Sequence, residues 1–200
     1  MRLFRNPKRY LLLFLVFISL ATRSQPLDLK ILKNINQGEY PKWDNFMLGT
    51  SKSVFIVMPL SILVPAIDGY HRNDQVMIRN AYKSAITIGV AALVTSTLKF
   101  AIQRPRPKVQ YPNDIIERDH AGPYSFPSGH TTAAFASATA LTLSYQKWYV
   151  AVPAYLYAGL VGYSRMRLGM HFPTDVLGGM VVGIGAGLLT WKLDKVMNGK

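Results

Sequence analysis

The sequence predicts an all-α, integral membrane helical bundle, and three observations predict it. Half of the 200 residues are hydrophobic and only 16% are charged, against about a quarter charged in an ordinary soluble domain. The apolar residues gather into five stretches, about 53–69, 81–102, 131–146, 148–163 and 174–191, each read as a helix of the kind that crosses a bilayer. Many of the cations behind the formal net charge of +13 sit at the ends of those stretches, where flanking residues meet lipid head groups. Nucleic-acid binders instead cluster their charge on a polar face or tail. The expected partner is therefore a membrane and not a nucleic acid.

Residues 1–25 read as a signal peptide or an N-terminal anchor. Arg2, Arg5, Lys8 and Arg9 precede the run Leu11 to Ala21, and polar Thr22-Arg23-Ser24-Gln25 follows. A basic start, a short apolar core and small residues near its end describe a secretory signal. The run is shorter than the roughly 20 residues of an ordinary span, so an anchor would have to borrow Tyr10 and its neighbours. Residues 26–52 place Leu27, Leu29, Ile31, Leu32 and Ile35, then Trp43, Phe46, Met47 and Leu48, at spacings of three and four. That pattern predicts amphipathic helical pieces at the membrane surface, divided at Pro41.

Residues 53–200 form the bundle itself, with about five core spans. The third and fourth stretches are joined by a few residues around Gln146-Lys147 and should be antiparallel neighbours. Alanines in the third and Gly178, Gly179, Gly183, Gly185 and Gly187 in the fifth suit close helix packing. The connection 103–129 is long and rich in proline and charge, a functional loop and not a span. Absence of cysteine excludes disulfides, thiolate nucleophiles and Cys-ligated zinc.

Three polar clusters lie where these stretches end: Lys99 with Arg106-Pro107, then Pro127-Ser128-Gly129-His130, then Ser164-Arg165 with His171 and Asp175. Lys99 closes the second stretch, His130 opens the third, Arg165 closes the fourth and Asp175 opens the fifth. With spans alternating in direction, all of them emerge on one membrane face. The basic N-terminus stays cytoplasmic, the targeting segment leads out, 53–69 returns and 81–102 leads out again. The clustered face is then extracytoplasmic.

These residue types point to phosphoryl transfer. Charge in flight spreads over the equatorial oxygens of phosphorus, so positioned cations supply most of the catalysis. Lys99, Arg106 and Arg165 are such cations, and the arginine forks suit bidentate contact. Ser128 and Gly129 before a helical run add a hydroxyl, backbone donors and a helix N-terminus. Asp175, four residues after His171, can hold one ring nitrogen and fix the tautomer. That makes His171 the better nucleophile and leaves His130 as the acid that protonates the leaving alcohol, then activates water. Cations crowd the site and carboxylates are few, so no metal and no cofactor is expected.

The spacings are more specific than the chemistry. Lys99 with Arg106-Pro107, Pro127-Ser128-Gly129-His130, and Ser164-Arg165 with His171 and Asp175 fall in order within about 77 residues. They resemble the complete three-part signature of the type 2 phosphatidic acid phosphatase superfamily, and 53–191 resembles its six-helix membrane branch with one fewer clear span. The resemblance implies an all-α bundle and metal-independent dephosphorylation through a phosphohistidine on His171. It also implies that Lys99, Arg106, Ser128, Gly129, His130 and Arg165 surround the phosphate. The substrate it implies is a lipid phosphate or diphosphate (undecaprenyl diphosphate, phosphatidylglycerol phosphate, phosphatidate or lipid A), met in a bacterial inner membrane with the site facing the periplasm. Soluble acid phosphatases and vanadate-dependent haloperoxidases share the signature, and a non-catalytic phospholipid-binding membrane protein is the rival of a different class.

Singly, a cation at a helix end is an interfacial anchor and a Pro-Ser-Gly an ordinary turn; their joint occurrence favours function. Arg104, Lys108 and Arg167 either touch a head group or face water and lipid phosphate. His120 with Asp119 either recognises a head group or, the favoured reading, belongs to a solvated loop. Tyr111, Tyr124 and Trp148 read as interfacial aromatics, and His71, Arg72 and Asp74 as a turn on the opposite face.

Overall fold

Helix signals at each boundary account for the order of elements. The computed structural model describes residues 25–198, so the expected signal peptide or anchor lies outside the described residues. Among these the chain is all-α, with no strand. Helix α1 is Gln25–Asn36, and α2, Pro41–Lys52, starts on a proline at its first position, where the missing N–H costs nothing. Ser53, itself helical, passes α2 into α3, Val54–Arg72. The second amphipathic piece is thus nearly continuous with the first long helix.

Asn73 in the left-handed conformation closes α3, and the Asp74 carboxylate accepts from the Val76 and Met77 amides to open α4, Gln75–Ile102. Such a cap satisfies otherwise orphaned donors. It explains why α4 starts several residues before its apolar stretch. The connection 103–128 contains only the short α5, Pro107–Gln110, and a bridge between Pro105 and Tyr124. Then come α6, Gly129–Tyr145, α7, Trp148–Arg167, and α8, Pro173–Met197. The 41–72 stretch, α4 and α8 are each long and apolar enough to cross a membrane.

Helix α6 is the central element, packed against α3, α4, α7 and α8. Apart from Phe135 its buried residues are small, among them Ala134, Ala136, Ala138 and Ala140. On the facing side of α8, a Cβ at Gly183 would lie 2.6 Å from the Thr132 carbonyl oxygen and 2.8 Å from the Ala136 amide. Only glycine lets the two backbones approach that closely. Close packing here ties the N-termini of α6 and α8 together: the Ser128 amide donates to the Asp175 carbonyl at 3.0 Å.

Helices α1 and α2 lie over the end of the bundle where the clusters emerge. Leu32 packs with Ile115 and Phe172, and Met47 with Leu168 and Met170. Asn36, almost fully buried, donates to the carbonyls of Ile116 and Arg167 and accepts from the Ile116 amide. The N-terminal pair therefore buttresses the very loops that carry the clusters.

Candidate active site

Each candidate side chain is set at a helix end or in a loop beside one. Lys99 stands in the last turn of α4 and donates to the Tyr124 carbonyl at 2.8 Å, drawing the long connection back over the helix. Arg106, 7% exposed, precedes α5 and donates to the carbonyls of Gly122 and Met170, at 2.5 and 2.8 Å. Ser128 is buried at the head of α6, and its hydroxyl accepts from Thr131 at 2.9 Å. Beside it, a Cβ at Gly129 would meet open space, which leaves the α6 N-terminus uncovered for an anion. His130 sits edge-on to Phe55 of α3, with 5.1 Å between ring centroids.

Arg165 is the most informative of the group. It is fully buried in the last turn of α7 and donates through Nη1 to the Ser51 hydroxyl and the Asp119 carboxylate, both at 2.6 Å. Among the described residues, its Nε and Nη2 have no hydrogen-bond partner. A buried donor left unpaired costs free energy, so this half of the guanidinium has the capacity to take a further acceptor.

His171, 2% exposed, lies in the connection between α7 and α8. Its Nε2 is 3.4 Å from Arg106 Nη1, and its Nδ1 faces Asp175 Oδ2 at 3.6 Å. That separation is longer than a hydrogen bond, so Asp175 confronts the ring without yet gripping it. The carboxylate is already engaged by the Phe172 amide at 2.8 Å and by Arg104 at 2.7 Å. Burial first, then the charges of Arg165, Arg106, Lys99 and His130, pushes the His171 imidazole well below the usual histidine range. That shift favours the neutral ring, the form in which an imidazole nitrogen keeps a free lone pair.

The structure thus brings Arg106, Arg165, His171 and Asp175 into one site, with Lys99, His130 and the α6 N-terminus bordering it. The expectations for three neighbouring residues need correcting. Arg104 does not face water or lipid phosphate; it bridges Asp28 and Asp175, because two buried carboxylates need a cation between them. Arg167 is 3% exposed and gives every nitrogen away, to Asp44 and to the carbonyls of Ile35, Gln37 and Gly38. Asp119 is no solvated loop residue but the acid partner of Arg165. Burial opposes its ionisation, yet the hydrogen bonds from Arg165 and the His120 amide, with the Arg165 charge, hold it below the usual carboxylate range. Asp28, Ser51 and Asp119 escape sequence reasoning because each meets its arginine across at least 46 positions of chain.

Residues 81–196 match the PAP2 superfamily. The chain is 36% identical over 110 residues to the undecaprenyl-diphosphatase BcrC of Bacillus subtilis, an alignment covering 54% of this chain and 55% of that protein. It is 28% identical over 166 residues to the lipid A 4′-phosphatase of Bacteroides thetaiotaomicron, covering 78% of this chain and 72% of the relative. Among solved structures, the transmembrane PAP2-type phosphatidylglycerolphosphate phosphatase of Bacillus subtilis superposes with a TM-score of 0.74 at 30% identity. That match covers 92% of this chain and 95% of the other.

Proposed function

The chain belongs to the PAP2 superfamily, and from that premise we propose that it is a membrane-embedded lipid phosphatase that works through a phosphohistidine on His171 without a metal. The carrying observation is the pair of unpartnered nitrogens on buried Arg165 beside a neutral His171 whose Nε2 faces Arg106. A tetrahedral phosphoryl group fits between them chemically. Its oxygens accept from Arg165, Arg106, Lys99 and the α6 N-terminus, and its phosphorus meets Nε2.

In the first step Nε2 forms a bond to phosphorus as the bond to the lipid oxygen breaks, and His130 gives its proton to that leaving oxygen. Charge on the equatorial oxygens is met by the three cations throughout. Asp175 supports the imidazole as it gains positive character. In the second step His130 takes a proton from water, the water oxygen attacks phosphorus, and the P–N bond breaks to release phosphate and restore His171.

A lipid phosphate or diphosphate is the substrate this reading assigns. The related proteins are named for undecaprenyl diphosphate, lipid A and phosphatidylglycerol phosphate, and the bundle itself suits a substrate delivered from a bilayer. The basic N-terminus and the alternation of spans favour a site on the periplasmic side of a bacterial inner membrane. Purified protein in detergent, assayed with chelator against undecaprenyl diphosphate, phosphatidylglycerol phosphate, phosphatidate and lipid A, tests the reading. Release of phosphate from at least one lipid is expected, with loss of about 10⁴-fold or more in His171→Ala. No release from any of them, or undiminished release by that variant, sinks it.

A further inference from the structure

Outside the match to the PAP2 superfamily, which starts at residue 81, one buried carboxylate is joined through Arg104 to Asp175. Asp28 lies in the first turn of α1 and is 2% exposed. Its Oδ1 accepts from the Thr174 amide at 3.0 Å, and its Oδ2 accepts from the Thr174 hydroxyl and from Arg104 Nη2, the latter at 2.8 Å. Arg104 Nη1 in turn donates to Asp175 Oδ1 and to the Thr174 hydroxyl, each at 2.7 Å. The guanidinium lies over the Phe172 ring at 4.1 Å. Every contact of this pair on α8 and its approach therefore falls on Phe172, Thr174 and Asp175, the residues that follow the His171 nucleophile.

We propose that Arg104 is a positioning residue for the His171–Asp175 pair, and that Asp28 of α1 is what holds it in place. Two physical needs meet here. Asp175 has no solvent exposure, and a buried carboxylate needs a partner charge; Arg104 supplies it on the oxygen that does not face His171. Arg104 unrestrained would be a fourth cation next to a phosphate site, free to turn toward the oxyanion. Asp28 occupies its second nitrogen and keeps it on Asp175. The planar fork, with one arm for each carboxylate, is a geometry lysine cannot reproduce. The N-terminal helix is on this view part of the catalytic apparatus and not only an interfacial cover.

The proposal rests on the phosphatase reading, and its test separates the two. Arg104→Gln, Arg104→Lys and Asp28→Asn, each in the full chain, are compared with wild type for kcat and KM on a lipid phosphate. Binding of orthovanadate, a phosphate-shaped oxyanion, is measured alongside. A positioning role expects kcat to fall about 10- to 100-fold in Arg104→Gln while KM and vanadate affinity stay within about threefold. It expects Arg104→Lys to recover part of that kcat, and Asp28→Asn to lose about three- to tenfold. A rise in KM with kcat intact, or weakened vanadate binding, would make Arg104 a substrate-binding residue and overturn the proposal. Wild-type kcat in Asp28→Asn overturns the role of α1, and that isosteric variant decides the matter if Arg104→Gln does not fold. An inactive wild type would instead strike at the phosphatase reading.

Discussion

Arg165 and Arg167 stand two residues apart at one end of α7, both buried, and their surroundings are opposite. Arg167 sits in a completed network in which Nε reaches Asp44 and the remaining nitrogens reach three carbonyls around the α1–α2 turn. Arg165 has one nitrogen fixed, on Ser51 and Asp119, and two without a partner among the described residues. The same side chain is thus a structural staple in one place and, on the proposed reading, an unfinished anion receptor in the other. What separates them is what other elements bring. The α1–α2 turn closes over Arg167 and stops short of Arg165. A buried charge whose partners are complete speaks for stability; one whose partners are half missing speaks for a ligand.

Substitutions that exchange activity for stability would break or sharpen that contrast. The largest effect is expected at Arg165: replacing it with Lys removes the fork and should lower kcat/KM on a lipid phosphate by about 10²- to 10³-fold with thermal unfolding in detergent little changed. A loss of under about tenfold would deny it the oxyanion role. Arg167→Met is expected to do the reverse. Removing one member of a buried charged network should cost about 3 kcal/mol of stability, read by thermal or denaturant unfolding, while the folded fraction turns over within about twofold of wild type. A kcat drop larger than the loss of folded protein would join Arg167 to the site.

The acid partners extend the comparison to smaller effects. Asp44→Asn removes the carboxylate shared by Arg167 and Arg118 and should cost about 1–3 kcal/mol of stability without altering KM. If KM changes instead, the α1–α2 turn contacts substrate. The smallest effect expected is an absence of pH dependence. With His171 held well below the ordinary histidine range by burial and by the surrounding cations, it stays neutral as pH falls from about 8 to about 6. The rate of phosphoenzyme formation from an activated aryl phosphate, which needs little acid assistance, should therefore hold within about twofold; a midpoint near about 6.5 would mean an unperturbed imidazole. Stability should behave otherwise. The unfolded chain takes up a proton at this position as pH drops through about 6.5 and the folded chain does not, so acidification there favours unfolding.

Much of the bundle was legible because its signals are local. Helix boundaries follow Pro41 and Pro173 and a turn falls at Asp74, and each apolar stretch announces a helix whatever the rest of the chain does. The small residues of α6 and the glycines of α8 likewise declare their close contact. Less legible was the traffic between arginines and carboxylates. Arg104, Arg106, Arg165 and Arg167 are alike in sequence, each a cation near a helix end, and nothing local says which will be neutralised. Asp28, Asp44 and Asp119 decide that, from α1, α2 and the long connection. Even Asp175, placed by spacing on the same side as His171, proves to face it at 3.6 Å while bound to Arg104, a detail no spacing contains.

By itself, the sequence determined the all-α membrane bundle, the order of its long helices, and the gathering of Lys99, Arg106, Ser128, Gly129, His130, Arg165, His171 and Asp175 at one end. Periodicity, hydropathy and the alternation of span direction are properties of neighbouring residues, so a linear reading reaches them. Only the tertiary structure decided which cations remain available to a phosphate. That choice depends on pairings across 46 to 132 positions, and in a buried site the pairing of a charge, not its presence, sets what it can bind.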